Sequence, residues 1–290
     1  KERDADKAFT YVYNDNISDG ITARRAMTTT IALAGKGGVG KTTLAALIVR
    51  YLIDSQPDPV LAIDADPSSN LNLALGLELE WTVGDIREDL LAQVKQSLTA
   101  GGAAMGTLPG GLTKREYLDY EIRNALAEGA RFDLIAMGRS EGPGCYCAVN
   151  HNLRQVVDAI SRNYRYVVID NEAGMEHLSR RTTRDVEHLI VVSDPTPRGL
   201  IAAQRIGAFR HEFDIAIKNA YLVINRAPAT LPAELQAYIA RLDFPLLGVV
   251  PPDDTLAAFE LSGRPLVEIP PTAPSYRAVA AMMTRLIGAR

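Results

Sequence analysis

Two cysteines and one tryptophan are all that this 290-residue sequence contains of those residue types. Cys145 and Cys147 are too few and too close to form a disulfide framework, so stability must come from an apolar core. Hydrophobic residues make up 47% of the chain, enough for a sizeable one. No apolar run approaches the roughly 20 residues that a membrane-spanning helix needs. The N-terminus lacks the basic start and apolar stretch of a signal peptide, and the reading is a cytoplasmic protein with no membrane partner. Positive charge is not in excess either: the formal net charge is −4. A generally cationic surface is excluded, and no nucleic-acid partner is expected.

Against these absences stands one complete motif. Gly35-Lys36-Gly37-Gly38-Val39-Gly40-Lys41-Thr42-Thr43 fits the P-loop spacing of Gly, four residues, Gly, Lys, Thr. Thr30–Ala34 before it is an apolar run of strand length, and Leu44–Val49 after it continues at helical spacing. Phosphate binding needs this arrangement: backbone N–H groups that point inward, glycines that permit close approach, and the positive end of a helix beneath. Gly37, Gly38, Val39, Gly40 and Thr43 would supply the cradle, Lys41 the charge on the β- and γ-phosphates, and the Thr42 hydroxyl a ligand of Mg²⁺. Lys36 has no duty within such a loop and is placed to reach phosphate only from outside it.

Acids recur at the ends of the apolar runs that follow. Pro59–Ile63 ends in Asp64-Ala65-Asp66-Pro67, and Tyr166–Ile169 ends in Asp170. In doubly wound folds functional side chains sit just beyond the C-terminal ends of parallel strands. Both carboxylates of the first pair are expected to face the P-loop crevice, one ordering water or the Mg²⁺ hydration shell. Asp170 stands where a Walker B acid holds Mg²⁺, and Gly174 is suited to bring its N–H to the γ-phosphate. Glu172 and Glu176 read as a solvated face, and Trp81 as a packing residue.

Phe132–Met137 is a further strand, leading into a loop at 138–151 rich in glycine and carrying Cys145-Tyr146-Cys147. Cysteines two apart in an extended segment point to the same side, so one chain can offer two thiolates to a soft metal. A closed thiolate site needs four ligands, which a two-fold dimer would supply. Reduced core cysteines and a redox switch remain open as alternatives.

The remaining signals alternate. Strands are expected at His188–Ser193, Tyr221–Asn225 and Leu246–Val250, and helices at Asp85–Leu98, Lys114–Leu126, Gly199–Phe213 and Ser275–Ile287. Strands alternating with helices predict one α/β domain, residues 27–290, with a doubly wound, mostly parallel sheet covered on both faces. Residues 1–26 read as a poorly ordered extension before Met27, with one short strand signal at Phe9–Tyr13.

The doubled lysine of the P-loop resembles the deviant Walker A motif of the MinD, ParA and nitrogenase iron protein superfamily, P-loop NTPases of the SIMIBI type. The resemblance implies that Lys36 reaches across a homodimer to the partner's nucleotide, and that Asp66 is the hydrolytic residue with Asp64 its neighbour. It also implies that Asn225, Arg226, Pro251 and Asp253 frame adenine. Within that superfamily, the stretch from Met137 to Asn150 and the run Asp170–Arg181 resemble the CooC-type maturation ATPases. That likeness implies ATP hydrolysis to ADP, nickel or zinc held by Cys145 and Cys147 of both subunits, and a client that is carbon monoxide dehydrogenase or acetyl-CoA synthase. Two rivals are an iron–sulfur reductase of the nitrogenase iron protein type, which takes its cysteines from two loops, and a MinD- or ParA-like positioning ATPase. The last would need a membrane helix or a DNA-binding surface, and the apolar and basic pattern of the final helix fits a core-covering helix as well as a membrane anchor.

Overall fold

A computed structural model of the chain describes residues 28–99, 112–139, 147–172, 185–209 and 216–288. Every residue of β1 (Thr29–Gly35) is buried, as its unbroken apolar run requires. It lies between β5 (Tyr166–Asp170) and β6 (Asp185–Ser193), parallel to both. The sheet continues from β5 through β2 (Val60–Asp64) and β4 (Phe132–Ala136) to the two-residue β3 (Ala127–Glu128). On the other side it runs from β6 through β7 (Ala216–Asn225) to β8 (Leu246–Val250). Of the described pairings only β3 with β4 is antiparallel.

Alternation along β1 sends its side chains into two cores. Ile31 and Leu33 pack with α1 (Lys41–Ser55), α2 (Leu71–Leu75), α8 (Asp254–Ser262), a 3₁₀ turn at Leu266–Glu268, and α9 (Pro274–Ile287). Ala32 and Ala34 face α3 (Val83–Thr99), α4 (Lys114–Asn124), α5 (Cys147–Ser161), α6 (Pro197–Phe209) and α7 (Ala233–Ile239). The expected doubly wound α/β architecture is the one the chain adopts. Its crevice opens beyond the C-terminal ends of β1, β2 and β5, the place where ligands bind in such sheets.

Several expectations need correction. Cys147 is the first residue of α5, so the stretch 147–151 is helical and not loop; Leu153, Val156, Val157 and Ile160 bury one face of that helix. Trp81 is 48% exposed and does not pack into either core. β6 and β7 begin three and five residues earlier than expected, at Asp185 and Ala216. Helices α2, α7 and α8 and strand β3 had not been anticipated. In α8 only Phe259 is buried, so no apolar period marks it; its ends are set by Asp253 as N-cap and Gly263 at φ 67°. Residues 1–26, Gly101–Gly106, Cys145, Gly174, Glu176 and His177 lie outside the described residues.

Candidate nucleotide site

The turn after β1 delivers the chain to α1 through Gly40, which adopts φ 90°, ψ 32° as the helix N-cap. A side chain there would be strained and would run into the Asn225 amide. Gly38 is also left-handed at φ 80°, and a Cβ on it or on Gly37 would meet nothing within 4 Å. The loop therefore faces open space rather than protein. That space is a cleft of about 390 Å³ lined by Gly37, Gly38, Gly40, Lys41, Thr42, Asp66, Ser68, Glu172 and Arg226.

At its floor the Thr42 hydroxyl donates to Asp170 Oδ2 at 2.6 Å. The other oxygen of that carboxylate, Oδ1, is buried and has no hydrogen-bond partner. Burial, only partly offset by the Thr42 hydrogen bond and Lys41, pushes the Asp170 carboxyl up to about 7. A hydroxyl and a carboxylate side by side, with one buried oxygen unspent, fit a Mg²⁺ ion that keeps most of its waters and arrives with phosphates. Lys41 is buried and donates to Lys36 O at 3.4 Å. Burial lowers its pKa, while the charges of Asp170, Asp66 and Glu172 act in the opposite direction.

Asp64 and Asp66 divide the work expected of the pair. Asp66 is half-buried and lines the cleft; its Oδ1 accepts from Ser68 N at 2.8 Å. Asp64 is fully buried and does not line it. Its two oxygens accept from Asp66 N at 3.0 Å and Leu71 N at 2.9 Å, bracketing the turn that carries Asp66. Burial raises its pKa to about 6 against those hydrogen bonds.

The residues expected at adenine are already engaged. Asn225 donates to Val39 O at 2.8 Å and accepts from Arg226 N at 3.0 Å, so its amide braces the P-loop. Arg226, at φ 56°, reaches Gly38 O at 3.4 Å. Asp253 Oδ1 caps α8 through Thr255 N and Leu256 N, and Oδ2 accepts from Ser275 N at 2.9 Å and Ser275 Oγ at 2.6 Å. Those hydrogen bonds outweigh burial and hold its carboxyl below the usual value. Pro251 is half-buried directly after β8, and neither it nor Asp253 lines the cleft. Thr43 Oγ1 donates to Glu260 Oε1 at 2.7 Å, and Lys36 is exposed and outside the lining of its own cleft. Glu172 was misread as a solvated face. Its place two residues after the Asp170 strand end was the signal that it belongs to the cleft.

A family model described as the CobQ/CobB/MinD/ParA nucleotide binding domain matches residues 30–266. The chain belongs to that family. An uncharacterized ATP-binding protein of Methanocaldococcus jannaschii is 40% identical, over 89% of this chain and 98% of the relative. The carbon monoxide dehydrogenase accessory protein CooC of Rhodospirillum rubrum is 29% identical, over 88% and 97%. Among solved structures, the septum site-determining protein MinD of Pyrococcus horikoshii, complexed with Mg-ADP, superposes with a TM-score of 0.62. It is 22% identical and covers 90% of this chain and 96% of that one, a likeness of fold. Among the described residues, no helix is long and apolar enough to cross a membrane, and no group of three or more His, Cys, Asp or Glu side chains is gathered to hold a metal.

Proposed function

We propose that this protein is an ATPase that works as a homodimer and supports nickel insertion into carbon monoxide dehydrogenase or acetyl-CoA synthase. The observation that carries the ATPase part is the pairing of Thr42 with Asp170 beneath an open P-loop, with Asp66 across the cleft. Lys41 neutralises the β- and γ-phosphates, Thr42 and Asp170 hold Mg²⁺, and Asp66 orients the water that attacks the γ-phosphorus. The bond from that phosphorus to the bridging oxygen breaks, leaving ADP and phosphate. Such chemistry needs positioning and charge more than covalent help.

The maturation part is supported by the CooC relative, which matches along nearly its whole length. It is also supported by the Cys145-Tyr146-Cys147 sequence, which follows β4 in the chain and ends on the first residue of α5; β4 ends paired with Asp64. In this reading the cysteines of two copies hold nickel or zinc as cargo. The positioning reading draws on the MinD and ParA members of the family, but its candidate membrane element is already used. Tyr276, Val279, Met282 and Met283 of α9 are buried within the core that includes α1.

Metal analysis of anaerobically purified protein, with and without Mg·ATP, tests the proposal. One nickel or zinc per two chains, changing with nucleotide, is the expected result. A brown iron–sulfur chromophore would return the reductase reading, and ATP-dependent sedimentation with liposomes the positioning one.

A further inference from the structure

We infer that Asn171 is a positioning residue: its side-chain amide holds the end of β5 against β1 and so fixes the Asp170 carboxylate where Mg²⁺ must meet it. This deepens the Mg·ATP reading proposed above and rests on it. Asn171 is 1% exposed and stands between Asp170 and the cleft-lining Glu172. Its Nδ2 donates to Leu33 O at 2.8 Å, bridging 138 residues of chain. Its Oδ1 is buried and, among the described residues, accepts from nothing. An amide that makes one hydrogen bond and leaves one buried acceptor bare gains little stability, because the unmet acceptor costs about what the bond returns. Stability alone therefore does not account for an amide here, and the place of its bond does.

Leu33 is the β1 residue paired with Asp170, and that pair is the last between the two strands. Beyond it β1 continues beside β6, with Gly35 opposite Val192, and enters the P-loop, whereas β5 has ended. Asp170 thus sits where the strand ladder stops, and two bonds hold it there. Ala65 N donates to Asp170 O at 2.9 Å from the β2 side, and Asn171 Nδ2 reaches Leu33 O on the β1 side. The acid is clamped between the residue before Asp66 and the residue two before Gly35. Mg²⁺ demands near-octahedral geometry at about 2.0–2.1 Å, so it tolerates little displacement of a carboxylate. The phosphate cradle is carried by residues 37–43, so loosening the clamp should be felt by the metal before the phosphates. The amide is also a neutral donor, whereas a lysine in its place would compete with the metal for Asp170.

A split between metal and nucleotide separates this role from general damage to the site. Binding of a non-hydrolysable ATP analogue is titrated with Mg²⁺, starting in EDTA, and urea unfolding without either ligand checks that each chain is folded. The chains compared are wild type, Asn171→Ala, Asn171→Leu, Asn171→Ser, Asp170→Asn, and Asp170→Asn combined with Asn171→Ala. Asn171→Ala should keep metal-free analogue affinity within about threefold but raise the Mg²⁺ concentration that half-maximally tightens binding by about tenfold, as loss of a group that orients a metal ligand does. Asn171→Leu, which fills the space and lacks the donor, should match it and carries the comparison if the smaller side chain does not fold. Asn171→Ser, whose hydroxyl can donate, should recover part of the loss. In the Asp170→Asn background the Asn171→Ala change should move the Mg²⁺ requirement by less than about twofold, because the group it acts through is already altered. An unchanged Mg²⁺ requirement in Asn171→Ala and Asn171→Leu, an equal rise in the Asp170→Asn background, or an equal loss of metal-free affinity overturns the assignment while the Mg·ATP site stands. A wild-type chain that binds the analogue without any response to Mg²⁺ overturns both.

Discussion

Replacing Asp170 by Asn should stabilise the nucleotide-free protein while abolishing its turnover. The reasoning starts from burial: Asp170 is 1% exposed, and its carboxyl is pushed from 3.8 up to about 7. Because the folded value is raised, the native state binds more protons than the unfolded chain between about pH 4 and pH 7. Stability therefore falls as pH rises through that window, and levels off above it. Each pK unit corresponds to about 1.4 kcal/mol, so keeping this group ionised in the fold costs on the order of 4 kcal/mol at pH 8. An amide has nearly the carboxyl's shape, offers Thr42 an acceptor, and carries no charge to desolvate. The advantage of Asp170→Asn over wild type should grow by about 3 kcal/mol between pH 5 and pH 8, two of its pK units lying in that interval. Asp64, raised to about 6, adds a slope of the same sign to both proteins, and the half-buried His188, whose pKa is lowered by burial, adds one of opposite sign. Subtracting the two proteins cancels the His188 part, while Asp64, whose charge raises Asp170, titrates together with it and contributes to the difference with the same sign. Urea unfolding at pH 5, 6, 7 and 8 without nucleotide or Mg²⁺ measures the difference. A variant less stable than wild type at pH 8, or a difference that does not change with pH, would refute the reasoning.

Three further outcomes follow from the same geometry. Lys41→Ala should weaken Mg·ATP binding at least tenfold in equilibrium titration, because Lys41 is the only buried cation among the residues that line the cleft. Asp66→Asn should keep nucleotide affinity within about threefold but lose steady-state turnover; normal hydrolysis would remove Asp66 from the mechanism. Asp253→Ala should lower global stability by about 1–2 kcal/mol through the lost α8 cap, seen in urea unfolding, with little selective effect on ATP over GTP.

How much of this was legible beforehand depends on whether a residue's partners are near it in sequence. The P-loop is one contiguous run framed by its own strand and helix, and residues 35–43 sit as expected. Strand-end acids are equally local signals: Asp66 lines the cleft, and Asp170 meets its floor through the Thr42 hydroxyl. Asn225 and Asp253 were expected beside adenine chiefly because the family resemblance matches those positions to it. Their partners, Val39 and Ser275, lie 186 and 22 residues away, and no spacing rule reveals that the amide and carboxylate are already spent. Asp64 was hidden for a different reason. Asp64 closes β2 whereas Asp66, two residues on, stands in the turn, and the acceptors of Asp64 face the backbone N–H groups of that turn. The helix that begins at Cys147 was legible in Leu153, Val156, Val157 and Ile160, at i, i+3, i+4 and i+7, but the glycines just before it dominated the reading.

The same backbone joins the nucleotide site to the cysteines. Asp64 brackets the Asp66 turn with its side chain and accepts from Met137 N at 2.8 Å with its carbonyl; Gly84 N donates to Met137 O at 3.0 Å. Met137 is the residue from which the chain departs toward Cys145, and Cys147 opens α5 on the far side of that connection. In the proposed function, a shift of Asp66 would be felt through the Asp64–Met137 hydrogen bond at the strand end that precedes the cysteines in sequence. If four thiolates from two copies hold one metal, thermodynamic linkage requires that metal change ATP affinity by the same factor as ATP changes metal affinity. The metal binds only thiolates, so binding should also release protons and strengthen as pH rises. Cys145→Ser combined with Cys147→Ser should lose the metal, keep ATP affinity at its metal-free value, and no longer respond to added nickel or zinc. Metal per dimer, proton release in two buffers of different ionisation enthalpy, and ATP affinity with and without metal measure each part. Tight stoichiometric metal binding to a chain that stays monomeric would defeat the shared site. Unequal coupling factors would show that the bound species differ between the two titrations, since a closed cycle of the same four states allows only one value.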